Sequence, residues 1–218
     1  MFRAILFSQW KWSRLVVALG TIAGFVLPII SLQGAASPGR NALDAEELLR
    51  AVRSWGTLYP VLAAALGLLV AMATWAPDHR GRHVHALSLP LPRWRYVLLR
   101  FGSGITVLVA PIVAVFVGAL LATWSATLPA GLHGYPVALG LRFALAVLLA
   151  YSIFFAVSAG TARTAGIILS AVATLIVIQI IATVASIELD LVGTVQGAVL
   201  NWPGPLAVFT GRWMLLDV

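Results

Sequence analysis

Residues 77–100 read PDHRGRHVHALSLPLPRWRYVLLR. The stretch separates two uncharged apolar runs, about 57–76 and about 101–123, and holds five of the fourteen Lys and Arg residues (Arg80, Arg82, Arg93, Arg95 and Arg100) with three of the four His. Pro90 and Pro92 divide it. In the first piece, about Asp78 to Leu89, a short helix would bring Val84, Leu87 and Leu91 to one face. Pro92 suits the first position of a second helix, where a missing N–H costs little. Beyond it Trp94, Val97, Leu98 and Phe101 share one face, and Arg93, Tyr96 and Arg100 the other. The pattern is an amphipathic ramp into the following span, and a loop of this build suits docking onto another protein at a membrane surface.

Composition agrees. Hydrophobic residues make up 61% of the 218 residues and charged ones 10%, with a mean hydropathy of +1.00. An all-α, polytopic membrane protein is expected, one membrane domain over 1–218 with no sizeable aqueous part. The net charge of +7 does not point to nucleic acid, because the basic residues gather at span ends, where they face lipid headgroups. Without cysteine there is no disulfide framework, thiolate metal site or thiol nucleophile.

Outward from the loop, five to six spans are expected. Residues 1–14 read as an N-terminal interfacial helix in the headgroup plane, with Phe2, Ile5, Leu6 and Trp10 near one face; the alternative is an extension of the first span. That span covers 15–33, is uncleaved, carries the GxxxG pair Gly20 and Gly24, and should kink at Pro28. A short external helix follows within 34–56, with Asp44 and Glu47 as a capping box and Leu48, Val52 and Trp55 toward the membrane. Further spans are expected at about 57–76, 101–123, 137–159 and 164–187, the fourth with Arg142 near one end. Residues 125–136 read as an external turn. Within 191–211, Asn201-Trp202-Pro203-Gly204-Pro205 breaks an apolar run, giving an outer re-entrant pair of short helices or a kinked sixth span. With the N-terminus inside, nine Lys and Arg fall on inner segments and four on outer ones, so the positive-inside rule puts the 77–100 loop in the cytoplasm.

The spans contain no Asp, Glu, Lys or His, which argues against an ion-coupled transporter and an intramembrane hydrolase. His79, His83 and His85 have only Asp78 beside them and read as a solvated basic loop before a metal site. No GxxxxGK[ST] occurs, so ATP is not hydrolysed by that device. Thr21, Thr106, Ser152, Gln179 and Thr183 are scattered polar candidates in the spans, each read first as a packing hydrogen bond. A bundle without an energy source, joined to a docking loop, implies energy from a partner.

The loop resembles that of type-2 ABC exporter permeases, the membrane subunits of ATP-binding-cassette exporters. In that family an acidic residue and a Gly-Thr step follow the second span, and a Leu-x-x-Leu-Pro-x-x-Arg pattern leads into the third. The corresponding residues are Asp78, Gly81, Leu87, Leu89, Pro90, Arg93 and Arg100, with Leu87 one position closer to Leu89 than the pattern has it and Arg100 where the family often has Lys. The order of features fits as well: interfacial helix, external segment, coupling loop, short inner turn, outer re-entrant segment. Arg82 departs from the family's Thr, and after 191–211 no full sixth span follows, so 191–216 is that span compressed or the chain is truncated or a variant.

The resemblance implies a non-enzymatic permease of the cell inner (plasma) membrane, N-terminus cytoplasmic, dimeric with a second copy or a homologous permease and surrounded by membrane lipids. Each copy docks on a nucleotide-binding ATPase subunit, which carries the ATP and Mg; no cofactor or metal is expected on this chain. Docking falls to Asp78, Arg80, Gly81, Leu87, Leu89, Pro90, Arg93 and Arg95. Spans one and five meet across the dimer in this family, which assigns Gly20, Gly24, Gly166, Ser170 and Thr174 to the interface; packing within the monomer is the alternative. A membrane scaffold or assembly factor that docks a cytosolic protein through 77–100 is the other reading, and an enzyme using the His cluster a third. Apolar surroundings favour a lipid or hydrophobic substrate over a polysaccharide.

Overall fold

The computed structural model describes residues 2–33, 45–80, 92–126, 131–160, 170, 174, 177–178, 191–201, 203–210, 213 and 215–217. These residues are mostly helical. The helices are α1 (Phe2–Gln33), α2 (Ala45–Trp55), α3 (Leu58–Arg80), α4 (Arg93–Ser125), α5 (Pro136–Ala159), α6 (Leu191–Leu200) and α7 (Ala207–Thr210). Two short strands, β1 (His133–Gly134) and β2 (Leu216–Asp217), pair antiparallel. Among the described residues four helical stretches are long and apolar enough to cross a membrane: Phe2–Gln33, Leu48–Ala76, Trp94–Ser125 and Pro136–Ala159. Contacts divide the chain into two compact units, Met1–Phe155 with Arg212–Val218, and Ala156–Gly211.

In the first unit α1 packs chiefly along α4, and α3 and α5 complete the bundle. At 32 residues α1 is about 48 Å long, more than a hydrocarbon core of about 30 Å requires. Residues 1–14 were expected as a separate interfacial helix. The structure joins residues 2–14 to the span as one element, because Trp10-Lys11-Trp12-Ser13-Arg14 contains no Gly or Pro to end a helix and Gln9 and Ser13 are buried in the bundle. The helix also runs through Pro28 to Gln33.

Gly20 and Gly24 pack against this chain's own helices, the arrangement given above as the alternative to a dimer face. A Cβ at Gly20 would strike the Leu66 side chain on α3, and one at Gly24 would lie 2.8 Å from Val115 Cγ2 and 3.3 Å from the Pro111 carbonyl on α4. Small residues let helix backbones close on one another where lipid supplies no hydrophobic drive. Outward faces are apolar too: Leu15, Leu19 and Ile22 are 72%, 66% and 61% exposed, as suits a surface whose solvent is lipid.

Leu48 and Val52 of α2, expected toward the membrane, are buried against this chain's own elements, since α2 packs on α1 and β2. Residues 125–136, expected as a plain turn, include β1. There His133 pairs with Asp217, Gly134 with Leu216, and the Tyr135 N–H donates to the Leu215 carbonyl at 2.9 Å. Trp213 stacks on Tyr59 with ring centroids 6.1 Å apart, and the Arg142 guanidinium lies 5.0 Å from the Trp213 ring centroid. The C-terminal residues are therefore part of the first unit's core, with Trp213, Leu215 and Leu216 all buried.

In the second unit the expected break at Pro203-Gly204-Pro205 separates α6 from α7. The chain doubles back across it, with Leu206 N–H to the Val199 carbonyl at 2.9 Å and the Thr210 hydroxyl to the Leu200 carbonyl at 2.6 Å.

Candidate functional site where α3 and α4 flank residues 81–91

The docking segment splits between described and undescribed residues. Gly81, Leu87, Leu89 and Pro90 lie outside the described residues, as do the helix expected over the rest of that loop and His83 and His85. Asp78 and Arg80 belong to the last turn of α3, and Arg93 is the first residue of α4. Pro92 stands just before that helix, at φ −61° and ψ 136°, one residue earlier than expected. Its carbonyl accepts from the N–H groups of Arg95 at 3.0 Å and Tyr96 at 3.3 Å. Arg95 is exposed, its guanidinium 5.2 Å from the Trp94 ring centroid.

The two faces read from sequence at the start of α4 are present in part: Phe101, expected beside Trp94 and Leu98, packs instead toward Tyr151 and Phe155. Trp94 and Leu98 are exposed at 60% and 57%, while Tyr96 is buried. Arg100 stands one turn beyond Tyr96, and its Nε donates to the Tyr96 hydroxyl at 2.8 Å. The same guanidinium donates through Nη1 to the Thr74 carbonyl on α3 and lies 5.7 Å from the Trp75 ring centroid and 5.1 Å from that of Tyr96. One side chain thus joins the outgoing stem of the loop to the incoming one.

A second tie comes from α1. Gln9 is buried, and its Nε2 donates to Thr74 Oγ1 at 2.7 Å while its Oε1 accepts from the Ser103 hydroxyl on α4. Ser103 also lies 2.8 Å from the Arg100 carbonyl, and Thr74 donates to Val70 O at 2.7 Å. Isolated polar groups at membrane depth must find partners within the protein, and here one amide satisfies two helices at once. Gly104 makes room for this: a Cβ there would strike the Tyr151 hydroxyl and come within 2.9 Å of Gln9 Nε2.

Aromatic rings close the cluster toward α5. Phe101 lies 5.3 Å from Tyr151 and 5.2 Å from Phe155, and Trp75 lies 5.2 Å from Phe155. The Tyr151 hydroxyl donates to the Phe101 carbonyl at 3.3 Å, and the Trp75 indole N–H to the Phe155 carbonyl at 3.2 Å. Among the described residues no group of three His, Cys, Asp or Glu is placed to hold a metal. The cluster's donors and acceptors bond to one another and link α1, α3, α4 and α5.

Sequence reading missed Gln9, Thr74, Ser103 and Tyr151. The available signal was their solitude, since a lone Gln or Ser in an apolar run needs a partner on a neighbouring helix. Three residues that were singled out turn inward on their own helices: Thr21 to Val17 O at 2.7 Å, Thr106 to Gly102 O at 2.9 Å and Ser152 to Leu148 O at 2.7 Å. Gln179 and Thr183 lie outside the described residues. Of the expected interface residues in span five, Gly166 lies outside as well; Ser170 and Thr174 are helical and exposed, with the Thr174 hydroxyl 2.7 Å from the Ser170 carbonyl. Comparison with family models, curated proteins and solved structures returns no match.

Proposed function

We propose that this chain is the membrane-spanning permease subunit of an ABC exporter, moving substrate outward with ATP hydrolysed on a separate nucleotide-binding subunit that docks on the 77–100 segment. The observation that carries the reading is the double tie of the loop stems, Arg100 to Thr74 and Gln9 to both Thr74 and Ser103. A docking loop on freely fraying stems would dissipate a push. With stems bound to each other and to α1, a displacement of the loop moves three helices together. The resemblance of residues 78–100 to the permease coupling loop supports the same reading.

Chain topology supports five crossings with the N-terminus cytoplasmic and an outer re-entrant segment, in place of six. The start of α5 adjoins β1, which pairs with β2. At 24 residues α5 is about 36 Å long, so it ends on the opposite side of the membrane from β2. The chain from 156 to 212 must then cross an odd number of times. We assign that crossing to the expected span over 164–187, followed by the expected outer re-entrant segment.

Purification of the tagged chain from its native membrane, with mass spectrometry of what accompanies it, tests the proposal. We expect a stoichiometric partner carrying GxxxxGK[ST], whose ATPase activity falls about tenfold or more when Arg93→Glu reverses the stem charge, as removing a charged contact at an interface implies. A chain that purifies alone, or with a partner lacking a nucleotide site, favours the scaffold reading instead.

A further inference from the structure

We propose that the groove between the first turns of α1 and the middle of α4 is a binding site for an anionic phospholipid. The groove holds about 380 Å³ and is walled by Leu6, Phe7 and Trp10 from α1 and Val107 and Ala110 from α4, with Arg3 on the same α1 face. Arg3, Leu6, Phe7 and Trp10 fall at i, i+3, i+4 and i+7, so the cation and the apolar side chains share one helical stripe. Thr106, also at the wall, turns its hydroxyl to its own Gly102 carbonyl at 2.9 Å. The trough therefore presents hydrocarbon along its length. Phe7 is 72% and Trp10 48% exposed, leaving both rings open to an acyl chain.

Charge selects the head group. Arg3 is exposed, and no carboxylate among the described residues pairs with it. Among the described residues at this end of the bundle, segments 2–14, 77–80 and 92–100 carry Arg3, Lys11, Arg14, Arg80, Arg93, Arg95 and Arg100 against the single acidic residue Asp78. A guanidinium recognises phosphate through paired N–H donors, and the surrounding field favours a net-negative head over a zwitterionic one. An amphiphile with an apolar tail and an anionic phosphate matches the trough at both ends. This inference is independent of the transport reading.

The full chain, purified in a mild non-ionic detergent, is incubated with equimolar phosphatidylglycerol and phosphatidylcholine of identical acyl chains, and retained lipid is read by native mass spectrometry. Wild-type chain is expected to hold one phosphatidylglycerol with about fivefold preference, the scale of one cation at a membrane surface. Arg3→Gln should bring the ratio near one, and Arg3→Lys should keep most of it. Lys11→Gln, at an exposed cation outside the groove lining, removes only a distant part of the field and should lower it far less than Arg3→Gln does. Ala110→Trp fills the trough with the charge intact and should lower retention of both lipids. Melting temperatures of the variants check that each is folded. A wild-type ratio near one, equal losses in Arg3→Gln and Lys11→Gln, or undiminished retention in Ala110→Trp would each overturn the site.

Discussion

The Arg100 guanidinium reaches the Thr74 carbonyl on α3 and the Tyr96 hydroxyl on its own helix, and it lies over Trp75. Removing it leaves the Thr74 carbonyl and the Tyr96 hydroxyl, both on buried residues, without that donor. Arg100→Met is expected to destabilise by about 2–3 kcal/mol, the range for hydrogen bonds to a charged group. Arg100→Lys keeps the charge but loses the fork that serves both acceptors, and should fall in between. Gln9→Leu should cost only about 1 kcal/mol, the usual scale for hydrogen bonds between membrane helices, because Thr74 and Ser103 retain Val70 O and Arg100 O as partners. Thermal unfolding in detergent reads this order, and an Arg100→Met variant more stable than Gln9→Leu would refute it. The grouping of Tyr96 with Arg100 on one face was legible in the sequence. Their significance was not, because the α1 and α4 residues joined by the neighbouring tie, Gln9 and Ser103, lie 94 positions apart. Periodicity also does not say which face turns inward when the solvent is lipid; here the polar face does.

The approach of α1 to its neighbours rests on glycine, and the glycines are not equivalent. A Cβ at Gly118 of α4 would strike the Phe25 carbonyl of α1, which is backbone and cannot turn away; at Gly20 the obstacle is the end of the Leu66 side chain, which can change rotamer. Gly118→Ala should therefore destabilise by about 1–3 kcal/mol, the cost of overpacking, and Gly20→Ala by distinctly less; equal shifts in melting temperature would show that α1 yields as a body. Span positions were largely legible, since the run expected at 57–76 overlaps Leu58–Arg80 and those at 101–123 and 137–159 lie inside Arg93–Ser125 and Pro136–Ala159. Hydropathy reports what an apolar run is long enough to do. It carries no trace of the β1–β2 pairing, where two residues on each side are too few for an alternating pattern and the partners come from distant parts of the chain.

The crossing parity of the whole chain is open to direct measurement because there is no native cysteine, so each introduced thiol reports one position. In intact cells a membrane-impermeant maleimide is expected to label His133→Cys and Asp217→Cys and to spare Arg95→Cys until the membrane is opened. Labelling of positions 95 and 217 from the same side would sink the five-crossing topology and the re-entrant assignment with it. The first unit is discontinuous in sequence: it is built from Met1–Phe155 and closed by Arg212–Val218. During synthesis, four hydrophobic helices can enter the bilayer and associate early, yet the seat for Trp213 between Tyr59 and Arg142 stays vacant until everything from 156 to 211 has been made and delivered. A chain interrupted before residue 212 would lack the ring that stacks on Tyr59 and receives Arg142, so the first unit closes only after the intervening segment has been made.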